Sequence, residues 1–196
     1  MGNKPESTFI NMVLRLFVIV SVAGLALGLV YSQTFDVIQA AKKAKLEAAI
    51  SEVVPAFDTL ITYQVMPSTG KDSITFYNAY SKNKLIGTAI ATYTDKGFSG
   101  RIKLMIGFDT MGVIINTAVL DHKETPGLGD KMDKSKGDWP SQFKGKDPKT
   151  FVLKVTKDKG SVDAITAATI SSRAFCDATL RAYDALISEK EGGKHE

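Results

Sequence analysis

Residues 9–31 read Phe-Ile-Asn-Met-Val-Leu-Arg-Leu-Phe-Val-Ile-Val-Ser-Val-Ala-Gly-Leu-Ala-Leu-Gly-Leu-Val-Tyr, and they restrict the architecture more than any other stretch. The hydrocarbon core of a bilayer is spanned by about 20 apolar residues in an α-helix. This run has 23, and its only strongly polar members, Asn11 and Arg15, lie near its N-terminal end. Arg15 is long enough to snorkel to that interface. A buried core helix needs a polar face, and the run has none. A cleaved signal peptide is the other reading, but the run is longer than an ordinary h-region and no small-x-small site precedes a polar chain start. The sequence therefore predicts one uncleaved membrane helix over 9–31, in contact with lipid. Gly24 and Gly28 sit four residues apart, a spacing that suits packing on another membrane helix. Charge does not orient the helix: Lys4 and Arg15 lie on one side of it, and Lys42, Lys43 and Lys45 on the other.

Beyond the membrane run, Asp36–Val54 has a broken apolar face at Ile38, Ala41, Ala48 and Val53, with lysines on the other side. It reads as a helical stalk that continues or restarts after the membrane and stops at Pro55. Residues 32–73 are thus a stalk and linker, with 56–73 ambiguous. From Ile74 the period changes from helical to alternating. Residues 74–80 and 85–94 read as a hairpin, 101–109 as a third strand and 113–121 as a fourth, which argues an antiparallel meander. Phe151–Val155 reads as a further strand, residues 139–143 as a short helix, and 173–187 as a final helix with apolar residues at 175, 178, 182, 183 and 186. The fold class is α+β: an N-terminal transmembrane helix, a stalk, an antiparallel-sheet domain over 74–188 with a C-terminal helix, and a mobile tail over 189–196.

Composition removes several functions. The 196 residues carry a net charge of +4, but acidic and basic residues are interspersed, and no basic block interleaved with aromatics points to nucleic acid. The single cysteine, Cys176, excludes an intramolecular disulfide and an iron–sulfur cysteine set. With only His122 and His195, a histidine-rich metal site is excluded too. There is no Gly-x-Gly-x-x-Gly fingerprint for a nicotinamide dinucleotide.

Two stretches carry chemistry. Asp163-Ala-Ile-Thr166-Ala167-Ala168-Thr169-Ile-Ser171-Ser172 crowds hydroxyls and alanines at the mouth of the last helix. Ser171 or Ser172 is the expected N-cap, which puts Thr169 beside a helix N-terminus, where N–H groups and the dipole favour a phosphate. The same hydroxyls also suit plain capping and turn roles. The second stretch is His122-Lys-Glu124-Thr125-Pro-Gly127-Leu128-Gly129. Pro126-Gly127 suits the centre of a type II turn, and the glycines let a backbone approach a flat ligand. An ordinary tight loop reads the same way.

Asp163-x-x-Thr166-x-Ala168-Thr169 resembles the flavinylation motif of the FMN-binding domain family. His122-x-Glu124-Thr-Pro-Gly-Leu-Gly129, Gly97-Phe-Ser-Gly100 and Trp139-Pro-Ser-Gln-Phe143-Lys-Gly145 resemble its other blocks, in the family's order. Ala167 stands where the family often has glycine. The resemblance implies FMN esterified through its phosphate to Thr169. Asp163, Thr166, Ala167, Ala168 and Ser172 would complete that site, and His122, Glu124, Thr125, Gly127, Leu128 and Gly129 would wall the flavin. It further implies an electron relay in a membrane-bound, ion-translocating ferredoxin:NAD+ oxidoreductase of the Rnf type. Other membrane proteins of that complex and a periplasmic flavin transferase would then be partners. Residues 1–8 would lie in the cytoplasm and the flavin domain outside the inner membrane. Length and the single membrane helix favour the Rnf type over the flavin-carrying C component of a sodium-translocating NADH:quinone reductase. A membrane-tethered binding module without covalent cofactor is the reading from another class.

Overall fold

In the computed structural model, which describes residues 8–192, the chain divides into two compact units, residues 1–44 and 45–196. One helix, α1, runs without interruption over Phe9–Val53, so the stalk continues the membrane helix and does not restart. Ser32 and Thr34, just past the apolar run, donate their hydroxyls to the Leu29 and Val30 carbonyls at 2.9 and 2.8 Å. Their polarity is thereby absorbed within the helix. The apolar side chains of 9–31 are exposed all round, and the window apolar enough to cross a membrane has none of its residues buried. A helix apolar on every face suits a membrane span.

The second unit is a helix–sheet–helix sandwich. Five antiparallel strands follow in chain order across the sheet: β1 (Thr59–Val65), β2 (Ile74–Ser81), β3 (Lys84–Gly97), β4 (Gly100–Phe108) and β5 (Ile114–Asp121). The last four match the meander read from the alternation. β1 lies in the stretch that read as ambiguous. The alternation sends Ile74, Phe76, Ile90, Ile102, Leu104, Ile106 and Phe108 to one face, where they pack against the C-terminal helix α2 (Thr169–Gly192). On the other face Ala79, Ala89, Ala91, Met105 and Ala118 leave room for Leu46, Ala49, Ile50 and Val53 from the last turns of α1. Thr92 and Thr94 of β3 donate to the Ala178 carbonyl (3.1 Å) and the Asp177 carboxylate (2.7 Å), which fixes α2 against the sheet.

Three expectations need correction. Phe151–Val155 is not a strand; only Val155 bridges, to Val162, and the segment closes on itself through short local bonds such as Lys154 N–H to Val152 C=O at 2.7 Å. Its Leu153 and Val155 are core residues all the same. Neither Ser171 nor Ser172 is an N-cap, because α2 already starts at Thr169. The tail read from Glu189 is helical to Gly192. Residues 1–7 and 193–196, with His195, lie outside the described residues.

Candidate functional site

The site is built where two loops of the meander meet the start of α2. Between β3 and β4 the chain turns at Phe98-Ser99. After β5 it leaves the sheet at His122 and enters the Glu124–Gly129 loop. Here the His122 Nδ1 accepts the Glu124 N–H at 3.1 Å, so His122 orders the loop's first turn. The Leu128 N–H donates to the Thr125 carbonyl at 3.2 Å, and Gly127 has φ +76°, the left-handed value that the third residue of a type II turn requires.

Glu124 ties the three pieces together. Its carboxylate accepts the Ser99 N–H at 2.9 Å and the Ser171 hydroxyl, and the side chain is buried. A buried carboxylate is tolerated because charged acceptors form strong hydrogen bonds. Gly129 lies against this junction. A Cβ there would stand 2.6 Å from Ser171 Oγ and 2.8 Å from Glu124 Cβ, so the loop reaches α2 only with no side chain at this position.

A cavity of about 320 Å³ opens between these pieces. Thr169, Ala167, Ala168, Ile170 and Ser171 line one side; Phe98, Glu124, Thr125, Leu128 and Gly129 line the other. Phe98, Leu128 and Ile170 are apolar yet 68, 39 and 46% exposed, which gives the cavity an apolar wall open to solvent. Thr169 is the first residue of α2. Ala168, which precedes it, has no side-chain oxygen with which to cap the helix. The N–H groups of a first turn have no intrahelical acceptors and carry the positive dipole end. Together they form a cradle suited to a phosphate beside the Thr169 hydroxyl.

The segment leading to Thr169 is a tight turn. Ala168 N–H donates to the Ile165 carbonyl at 3.0 Å, and Ala167 sits at φ +61°. Glycine adopts that conformation freely and alanine does not. Ser172 holds the turn from behind: its Oγ accepts the Ile165 N–H at 2.9 Å and donates to the Ala168 carbonyl at 3.0 Å. Asp163 and Thr166 are exposed and stand outside the cavity lining, as do His122, Gly127 and Ser172. Of the residues singled out from sequence, Thr169, Ala167, Ala168, Glu124, Thr125, Leu128 and Gly129 share one cavity. In the sequence Ile170 carries no signal of a role, Phe98 stands only within its block and Ser171 reads only as a candidate N-cap. Phe98 sits in a glycine-flanked block already visible as a motif, and an exposed aromatic at a tight turn was its signal. Among the described residues no group of His, Cys, Asp or Glu could hold a metal ion.

Residues 97–184 match the FMN-binding domain family, a span that contains every residue lining the cavity. The chain is similar to the G component of the ion-translocating oxidoreductase complex of Shewanella baltica (strain OS223), with 36% identity over 166 residues, 78% of this chain and 77% of the relative. The corresponding protein of Vibrio vulnificus (strain YJ016) is 34% identical over 168 residues, 81% of this chain and 80% of that protein. That of Aliivibrio fischeri (strain MJ11) is 33% identical over 183 residues, 88 and 86% of the two chains.

Proposed function

Because the chain belongs to the family of G components of ion-translocating oxidoreductase complexes and holds an FMN-binding domain, we propose that it relays electrons through an FMN esterified to Thr169. It is a membrane-anchored flavoprotein component of an electron-transfer complex; the covalent link, the partners and the side of the membrane are the proposal. The observation that carries it is the position of Thr169: first residue of α2, uncapped by Ala168, on the rim of a cavity with an exposed apolar wall. These residues fit the cofactor. The start of α2 suits its phosphate, Phe98, Leu128 and Ile170 suit a planar ring system, and Thr125 offers a hydrogen-bonding hydroxyl at the same rim.

When bound, FMN supplies the electron-carrying chemistry. The chain's own residues do the rest. Thr169 Oγ anchors the phosphate end, so the cofactor is held at high local concentration and cannot dissociate. Glu124 locks both loops to α2 through Ser99 and Ser171, which keeps the cavity's two walls at a fixed spacing. Phe98 and Leu128 line the cavity and would shield a bound ring from water. Other membrane proteins of an Rnf-type complex are the electron partners, and the flavin domain faces the extracytoplasmic side, where a periplasmic flavin transferase reaches Thr169.

The test is intact mass with tryptic mapping of the full chain purified from its native membrane, beside Thr169→Ala. An FMN-sized addition on the 160–173 peptide, absent from the variant, is the expected result. No addition from a host with a working flavin transferase refutes the covalent link.

A further inference from the structure

The Trp139–Phe143 3₁₀ helix takes no part in the cavity, yet its side chains grip the segment that leads to Thr169. The Gln142 Oε1 accepts the Asp163 N–H at 2.8 Å. The Trp139 indole N–H donates to the Asp163 carbonyl at 2.6 Å, and the Gln142 amide donates to the Trp139 carbonyl at 3.0 Å and to the Asp163 carbonyl at 3.4 Å. Both backbone groups of Asp163 are therefore satisfied by side chains, in a stretch that pairs with no strand. Its carboxylate stays exposed. Trp139 is itself fixed edge-on against Phe175 at 5.2 Å and against Phe143 at 5.4 Å. Phe175 belongs to α2, less than two turns beyond Thr169. One aromatic side chain thus joins the front of the segment to the helix that ends it. Behind, Ser172 pins Ile165, and between the two clamps Thr166 and Ala167 are left exposed.

We infer that Trp139 and Gln142 are positioning residues for the modification of Thr169, holding Asp163–Ala167 in the shape that the flavin-transferring enzyme reads. The inference rests on the proposal that Thr169 is the attachment site. In that step the Thr169 Oγ forms a bond to phosphorus and gives up its proton. Making a phosphodiester from an alcohol requires an activated phosphoanhydride, so the donor is a flavin dinucleotide of the FAD type. Its pyrophosphate P–O bond breaks and AMP leaves, with no change of oxidation state. A recognition segment that is already ordered spares the enzyme the entropy of ordering it, which improves encounter binding and leaves the chemical step alone.

The experiment uses the full chain in detergent with purified flavin transferase and FAD, comparing wild type, Gln142→Ala and Trp139→Phe, the latter keeping an aromatic ring without the N–H donor. The expected result is a KM for the chain raised about tenfold in Gln142→Ala and severalfold in Trp139→Phe, with kcat held within about twofold, as expected when only preorganisation is lost. Amide hydrogen exchange on the unmodified chains serves as a second readout, with faster exchange at 163–165 and unaltered exchange in the sheet. Wild-type KM and exchange in both variants overturn the inference while the attachment site stands. A lower kcat at unchanged KM, the signature of a smaller folded fraction, overturns it as well. A wild-type chain that takes no flavin refutes the attachment site itself, and the inference with it.

Discussion

Ala167→Gly stabilises the domain. Ala167 has φ +61°, in the left-handed region. That conformation costs an L-residue roughly 1–2 kcal/mol relative to the right-handed one. Glycine removes the strain but adds backbone freedom to the unfolded chain, at about 0.4–1 kcal/mol. Ala167 is exposed, so little packing is lost. The difference is centred on a net gain of roughly 0.8 kcal/mol. For a domain of this size each kcal/mol moves Tm by about 2–4 °C, so the expected rise is about 1–4 °C. The assay is thermal unfolding of the full chain in detergent, followed through the fluorescence of Trp139, the only tryptophan, which packs on Phe143 and Phe175 in the core. Ala167→Val is the counter-test, since a β-branched residue is a worse fit to the left-handed region, and its Tm falls. An unaltered or lowered Tm in Ala167→Gly, or an unaltered one in Ala167→Val, refutes the strained turn.

Three further outcomes are expected. Gly129→Ala drives a methyl against Ser171 Oγ and Glu124 Cβ; overpacking of that kind costs roughly 1–3 kcal/mol, a fall in Tm of about 2–12 °C, measured in the same scan. Phe98→Ala leaves the fold intact, because the ring is exposed, but weakens non-covalent FMN binding to a Thr169→Ala chain by roughly five- to tenfold, read by quenching of flavin fluorescence; wild-type affinity counts against the stacking wall. Burial pushes the Cys176 thiol up to about 12 from 9.0. A raised folded-state value means the stability it contributes is whole below pH 9 and is lost as pH climbs toward 12. At pH 8 a thiol reagent therefore modifies Cys176 only in unfolded chain, and rapid labelling of the native protein contradicts its burial.

Strand alternation was enough to place four strands, because period 2 survives wherever one face of a strand is buried. It missed β1, whose side chains are mostly exposed on a sheet edge: Ile61 is 50% exposed and carries no patterning pressure. It also over-read Phe151–Val155. There the apolar residues report burial truthfully, since Leu153 and Val155 are core, but a burial pattern says nothing of where the backbone hydrogen bonds go. The capping expectation failed for a related reason. Ser172 bonds back to Ala168 and Ile165 from inside the first turn, a use of serine that sequence does not distinguish from capping. Chemistry-bearing blocks were legible one at a time. Their meeting was not, because the link between them is Glu124 reaching Ser171 across 47 positions of sequence.

That link bears on how such a relay works. A cofactor tethered at one end still swings unless its other end meets a rigid wall. Thr169 is carried by α2, and α2 is fixed to β3 through Thr92 and Thr94. The facing wall is carried by loops, the more mobile class of structure. Glu124 converts those loops into an extension of the helix by bonding to Ser99 on one side and Ser171 on the other, and the bare Cα of Gly129 lets them close to contact distance. Rigidity at the candidate site is thus supplied by a buried carboxylate outside the Asp163–Thr169 stretch, and a flavin held at Thr169 as proposed would depend on it as well as on the threonine.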